Sequence, residues 1–333
     1  YINQFWDADK SILNVSFEQK LEKSSTGKDI QMVIPILYSC YSRDEECNSI
    51  VEEDLFILDT SKKNLQIKAL PNEKGTPVLS VFKRFSSPVI WESNSSINDY
   101  LYLFLNENDY FTRWDSGQFL MREIIKGRIN KNEDYALENS FINAIKQSIQ
   151  KFKINDPFFL ATLLAIPGLT ELESMFEIVD PITLFKESLG FQTSIGNQIL
   201  QDLQILSKNI FLNINQEWPR GRGERKLLGT IWSYLVLAGD RKVKRNCVES
   251  ISHTSMTIAR AALEALKPLD SQDTEEASNL FYNLWKENPV VLDSWFAYEA
   301  SRPSKQGVDL IEKLLSHPKF DWKAPNAIRA VLG

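Results

Sequence analysis

Apolar and polar residues alternate along roughly the first ninety positions, and then the period changes. In LNVSFE, Leu13, Val15 and Phe17 alternate with Asn14, Ser16 and Glu18. In QMVIPILY, Met32, Ile34, Ile36 and Tyr38 share one parity, and in NLQIKA so do Leu65, Ile67 and Ala69. A period of two puts one set of side chains on one face of a sheet. FILDT and VLSVFKRF add further strands, and SSTGKD, PNEKGTP and SSP supply turns between them. Short strands at this spacing predict a small β-sandwich over residues 1–92.

From about Ser93 the helical spacing takes over. Phe141, Ile145, Ile149 and Phe152 fall on one face, as do Ile199, Leu203, Leu206 and Ile210. Leu228, Ile231, Trp232 and Leu235 repeat the spacing; Leu280, Phe281, Leu284 and Trp285 follow, then Val308, Ile311 and Leu315. Amphipathic helices with short polar connections pack as antiparallel neighbours. The expected fold is mixed, with two domains: a small antiparallel β-sandwich, then an all-α helical array over 93–333. No strict repeat of fixed period is present, so a regular solenoid is not predicted.

Length and composition refine this picture. A chain of 333 residues, 43% apolar and 25% charged, is large enough for two domains with sizeable cores. Its net charge of −6 and pI near 5.3 argue against a broad nucleic-acid surface. Three cysteines, Cys40, Cys47 and Cys247, do not form a disulfide framework. Cys40 and Cys47 have the spacing to pair across a hairpin; reduced thiols in a cytoplasmic protein are the plainer reading. No apolar run is long enough to span a bilayer and no signal peptide is present, so neither membrane nor nucleic acid is an expected partner. Position 1 is Tyr rather than Met, so the true N-terminus is expected to lie upstream, and a missing targeting signal says little about the parent protein.

Candidate chemistry is sparse. The two histidines, His253 and His317, lack the neighbours of a zinc motif, and no Cys/His cluster has ligand spacing. Phosphate-binding glycine loops and the G-x-S-x-G elbow are absent, which leaves a Ser-His-Asp triad little to build from. WPRGRGERK concentrates Arg220, Arg222, Arg225 and Lys226; it reads either as an anion or RNA contact or as a solvated loop leading to a helix near Glu224, and one short cluster on an acidic chain favours the loop. In NDYFTRWDSGQFLMREI, Asp109 suits a helix N-cap. Phe111, Trp114, Met121 and Ile125 then share a face, and Arg113 and Asp115 are placed to anchor the helix at the sandwich. Aromatics at that spacing are usually core. In DSWFAYEASRP, Trp295 and Phe296 read as core and Pro303 as the helix stop. In KAPNAIRAVL, Pro325 fits a first helical turn, and Asn326 and Arg329, three apart, share a face that by itself reads as solvated.

Five stretches in order, NDYFTRWDSGQ, MFEIVDPITLF, SMTIARAALEAL, NPVVLDSWFAYEASRP and HPKFDWKAPNAIRAVLG, resemble the C-terminal half of the bacterial alanyl aminopeptidase (aminopeptidase N) family of zinc metallopeptidases. The resemblance runs from Asn108 to the last residue and is weaker over the sandwich. It implies an N-terminal β domain and a thermolysin-like catalytic domain upstream of Tyr1, carrying the zinc ligands, the general-base Glu and the Tyr that stabilises the tetrahedral intermediate. It also implies that the helical domain continues beyond Gly333. This chain would then be a non-catalytic, truncated part, binding no zinc and inactive by itself, packed on the catalytic domain and enclosing its cleft. Peptides would be its partners through the parent enzyme.

The segment resembling NPNRxRSL directs a basic side chain toward the enclosed cavity in that family. Arg329 matches its second arginine and Asn326 its second asparagine, which makes both candidate substrate-binding residues. The chain departs from the pattern at Ala324 and Ala327, and at RKLLGT Leu228 and Gly229 replace an Arg-Asn pair, so altered packing of that helix is expected. The rival reading is a stand-alone interaction protein, a sandwich joined to a helical array with a concave binding face. The encoding reading frame separates the two: a metallopeptidase motif upstream or a start codon at position 1.

Overall fold

The computed structural model describes residues 1–20, 31–43, 48–69, 75–132, 134–212, 214, 220–303 and 307–333. The turn SSTGKD, Cys47 and the start of PNEKGTP and of WPRGRGERK lie outside these residues. The chain forms two compact units, Tyr1–Ser148 and Ile149–Gly333.

The first unit opens with six strands: β1 (Ile2–Asp7), β2 (Ile12–Glu18), β3 (Ile34–Tyr41), β4 (Ser49–Leu58), β5 (Lys62–Lys68) and β6 (Val78–Ser80). They make two antiparallel three-stranded sheets, ordered β1-β2-β5 and β4-β3-β6. The predicted alternation sets the core. Leu13, Val15 and Phe17 of β2 and Ile67 of β5 pack with Ile36, Tyr38 and Cys40 of β3 and Leu79 of β6. Strand β1 and the polar start of β4 were not predicted, because Asn3, Gln4, Glu52, Glu53 and Asp54 blur the alternation. Met32, expected on the inner face of β3, is exposed just before that strand begins.

VLSVFKRF does not continue as a strand. After Ser80 the chain turns, and Lys83–Phe85 form a short 3-10 turn. Lys83 is drawn inward, donating from Nζ to Ser39 Oγ at 2.6 Å, and Phe82, Arg84 and Phe85 take left-handed φ values of 56°, 55° and 55°.

Helix α1 (Ile97–Asn106) starts at a capping box in which Ser96 and Asp99 satisfy each other's backbone N–H groups. Helix α2 (Tyr110–Ile129) is capped by Asp109, which accepts from Thr112 N at 2.9 Å, as its sequence predicts. Helix α3 (Tyr135–Phe152) buries Phe141, Ile145, Ile149 and Phe152, the predicted face. Arg128 of α2 grips Glu138 of α3 with two hydrogen bonds of 3.0 and 2.8 Å.

The second unit is helical: α4 (Pro157–Leu163), α5 (Leu169–Glu173), α6 (Pro181–Gln198), α7 (Leu200–Leu212), α8 (Arg222–Leu237), α9 (Arg241–Ser250), α10 (Met256–Leu266), α11 (Gln272–Trp285), α12 (Pro289–Ser301), α13 (Val308–Leu315) and α14 (Pro325–Leu332). Asp156, Asp180, Asp240, Ser271 and Asn288 cap α4, α6, α9, α11 and α12 by accepting first-turn N–H groups. Helix α8 is the axis. Leu227, Leu228, Ile231, Trp232 and Leu235 are wholly buried, and α4, α6, α7, α9 and α10 all pack on it.

Two faces differ from the prediction. Leu280 and Leu284 are 36% and 52% exposed, and α11 instead buries Thr274, Ala277, Ser278 and Phe281. On α13 Val308 is 73% exposed while Leu314 is the buried residue. Helix α8 begins at Arg222, one turn-fraction before Glu224.

Candidate functional site

Helix α14 carries the two candidate substrate-binding residues. Its inner face is set by Ala327 and Val331, which pack with Leu292 and Phe296 of α12, Leu314 of α13 and Phe320. That leaves Asn326 and Arg329 on the outer, exposed face. Neither side chain makes a hydrogen bond or ion pair to a described residue, so the guanidinium offers its full set of donors. Ala327 is only 2% exposed, so a guanidinium at that position would be driven into the contact with α12.

The platform under α14 is a polar chain inside an aromatic cluster. Trp295 Nε1 donates to Ser278 Oγ at 2.9 Å, and Ser278 Oγ donates to buried Glu299. Glu299 also accepts from Arg302 Nε at 2.8 Å, and Arg302 reaches Glu275 at 2.6 Å. These bonds tie α11 to α12 and account for Glu299 and Arg302 of DSWFAYEASRP. The ring of His317 sits 5.5 Å from that of Tyr282 and 5.4 Å from that of Phe296, and its Nδ1 accepts from Lys319 N at 3.2 Å. Burial, with Lys319 nearby, holds the imidazole below its ordinary pKa.

The other histidine is also occupied structurally. His253 Nδ1 accepts from Ser255 N at 2.9 Å, and burial and Arg225 lower its pKa. Among the described residues no three His, Cys, Asp or Glu side chains are grouped to hold a metal ion.

In the basic segment, Lys226 Nζ lies 4.0 Å above the Phe158 ring and donates to Thr162 Oγ1 at 2.9 Å, and Arg222 stands over the same ring. Arg225 is buried. Lys226 and Arg222 thus lie against α4 through Phe158.

A buried polar knot escaped sequence reading. Glu107, fully buried just after α1, accepts from Tyr41 OH at 2.9 Å, from Asp109 N at 2.9 Å and from Ser80 Oγ. Lys83 Nζ is 3.3 Å from the same carboxylate. Arg113 donates through Nε at 2.7 Å, and through Nη2, to the Glu107 carbonyl oxygen. Burial and the Glu107 carboxylate push the Tyr41 phenol far up. Only Asp109 and Arg113 were legible, as part of the NDYFTRWDSGQ stretch. The knot joins β3, β6, α1 and α2.

Such a sandwich followed by a helical array defines a recognisable class. Residues 1–94 match the model of a domain of unknown function, DUF3458, described as Ig-like, and residues 97–333 match DUF3458_C, described as ARM repeats. The chain belongs to the family defined by these two domains and corresponds to the C-terminal region of aminopeptidase N. It is similar to aminopeptidase N of Caulobacter vibrioides, at 26% identity over 298 residues, covering 84% of this chain and 32% of that protein. Against aminopeptidase N of Escherichia coli K12 it is 24% identical over 331 residues, covering 98% of this chain and 36% of that protein. The crystal structure of Legionella pneumophila aminopeptidase A in complex with aspartic acid shares the fold with a TM-score of 0.84 at 22% identity, covering all of this chain and 39% of that one. The chain spans about a third of the length of the curated relatives it matches.

Proposed function

We propose that this chain is the sandwich and helical portion of a zinc aminopeptidase, which removes N-terminal residues from peptides in the cytoplasm. In that reading the chain packs on an upstream catalytic domain, encloses its cleft and lends accessory contacts to the substrate. The observation that carries it is the match of nearly the whole chain to aminopeptidase N relatives about three times as long. Arg329 and Asn326 supply the contacts. An exposed guanidinium without an internal partner suits a peptide carboxylate or carbonyl, through directed charge-assisted hydrogen bonds. Asn326, on the same face, offers an amide that both donates and accepts. Zinc supplies the Lewis-acid chemistry in the upstream domain, and no step of it runs through a residue of this chain. Enclosure excludes water and limits entry to short, flexible peptides.

Arg329→Ala in the complete enzyme is expected to raise KM about tenfold, the loss of one charge-assisted hydrogen bond, with zinc content unchanged. Unchanged KM and kcat across several peptide lengths would remove Arg329 from the cleft. The purified 333-residue chain is expected to hold no stoichiometric zinc and to leave alanyl-arylamides intact. Chelator-sensitive turnover by this chain would overturn the assignment.

A further inference from the structure

Strand β1 lies at the edge of its sheet, where backbone N–H and C=O groups need cover. The segment 92–95 supplies it. Ile2 N donates to Glu92 O at 2.9 Å, and Asn94 N donates to Ile2 O at 3.3 Å. The Asn94 side chain accepts from Gln4 N at 2.8 Å and donates to Gln4 O at 2.9 Å. Beside this seam, Gln4 Nε2 donates to Ser95 Oγ at 2.8 Å and to Ser93 Oγ at 3.4 Å. The two hydroxyls are themselves 2.8 Å apart. Each carries one proton, and the hydrogen bond between them uses only one of the two. The other proton has no acceptor among the described residues.

A small cavity opens at that point. Its lining includes Gln4, Ser93 and Ser95 of the seam, Asp115 and Ser116 of α2, and the core residue Leu79. About 10 Å³ is open to the centre of a water molecule, which is room for one. In a space of that size the lining polar groups stand about one hydrogen-bond length from an occupant. We propose that the cavity is a binding site for a single water molecule, which accepts the unspent serine proton and donates to the Asp115 carboxylate and to Ser116 Oγ, joining the 92–95 segment to α2. Three features choose water. The serine proton requires an acceptor, which a metal cation is not. The volume excludes phosphate and any organic ligand. The acceptors on α2 have capacity for both protons of a water. Ser116 Oγ donates to Thr112 O at 2.8 Å, which leaves its lone pairs available. An ionised carboxylate has about four lone-pair sites, more than one partner fills. The charge of Asp115 is felt at the cavity wall, since burial and that carboxylate hold the Tyr100 phenol above its ordinary pKa.

The test is a set of high-resolution crystal structures of the protein and two variants. The unsubstituted protein is expected to show one ordered oxygen in the cavity, roughly 2.6–3.2 Å from a serine Oγ and from the Asp115 carboxylate. Ser93→Ala with Ser95→Ala, at two half-buried positions, removes the proton and is expected to lower the occupancy of that oxygen at least about twofold. Ser116→Thr keeps the hydroxyl and adds a methyl group that takes up the space, and is expected to expel the oxygen altogether. A cavity without density in the unsubstituted protein overturns the site. So does a peak with about six or more oxygen neighbours at roughly 2.3–2.6 Å, the mark of a metal cation. A peak that stays at full occupancy in the double variant overturns the role given to the serine proton, and with it the proposal.

Discussion

Glu107 shows how much one side chain can hold. Its carboxylate is wholly buried and meets Tyr41, Ser80, Lys83 and the Asp109 amide. Removing its charge leaves buried Lys83 with only Ser39 and, at 4.0 Å, Glu53 to offset its ammonium. Glu107→Gln is therefore expected to cost about 3–5 kcal/mol in urea unfolding, and Glu107→Gln with Lys83→Met together less than the sum of the two singly. Tyrosines set the alkaline limit. Burial and Asp54 push Tyr38 up to about 12 from 10.0, and burial raises Tyr41, Tyr100 and Tyr234 as well. A raised folded-state pKa contributes stability that is complete below the unfolded value and lost as pH rises through the folded one. Tm is expected to hold to about pH 10 and fall above it, as tyrosinate absorbance appears. His317 works in the opposite sense, because its folded pKa is depressed. Its contribution is present above its ordinary 6.5 and is lost as pH falls through the lower folded value, so the α12–α14 cluster is expected to loosen in mild acid, a change visible in Trp295 fluorescence.

At the scale of elements, two glycines fix how closely helices approach α8. A Cβ on Gly196 would lie 2.6 Å from the Tyr234 carbonyl oxygen, and one on Gly229 would lie 2.8 Å from Ala261 Cβ. Gly196→Ala forces backbone apart and is expected to cost about 1–3 kcal/mol, read as a drop in denaturation midpoint at unchanged slope. An Asn in place of Gly229 would meet Ala261, and an Arg in place of Leu228 would be buried, so the small and apolar pair suits a tight α8–α10 crossing. Helices were legible where one face is continuously apolar, as in Ile199, Leu203, Leu206 and Ile210. The face of α11 was mis-phased because its buried positions are Thr274, Ala277 and Ser278, small residues that carry no strong hydrophobic signal. VFKRF read as a strand because alternation cannot reveal that Lys83 finds a carboxylate inside.

For the molecule as a whole, the order of sandwich and helices followed from the change in period, and the placement of Asn326 and Arg329 on one exposed helix face followed from their spacing. The repeat character of the helical part did not. Its helices run from 5 residues in α5 to 20 in α2, so the residues of this ARM-repeat match display no fixed period. The polar knot was illegible for another reason: Tyr41, the Ser80–Lys83 stretch and Glu107 lie far apart in sequence and meet only once strands β3 and β6 of one sheet and helices α1 and α2 are in place. The pairing of β2 with β5 has a further consequence, for synthesis. Leu13 reaches its cross-strand partner Ile67 only after a long intervening segment has been made, whereas most helices close their hydrogen bonds locally. Non-local pairing is slow. The apolar strand of Leu13, Val15 and Phe17 therefore leaves the ribosome ahead of β5 and β3 and waits partly uncovered, so exposure to aggregation and to chaperones is prolonged at the sandwich, which is made before the helices and completed late.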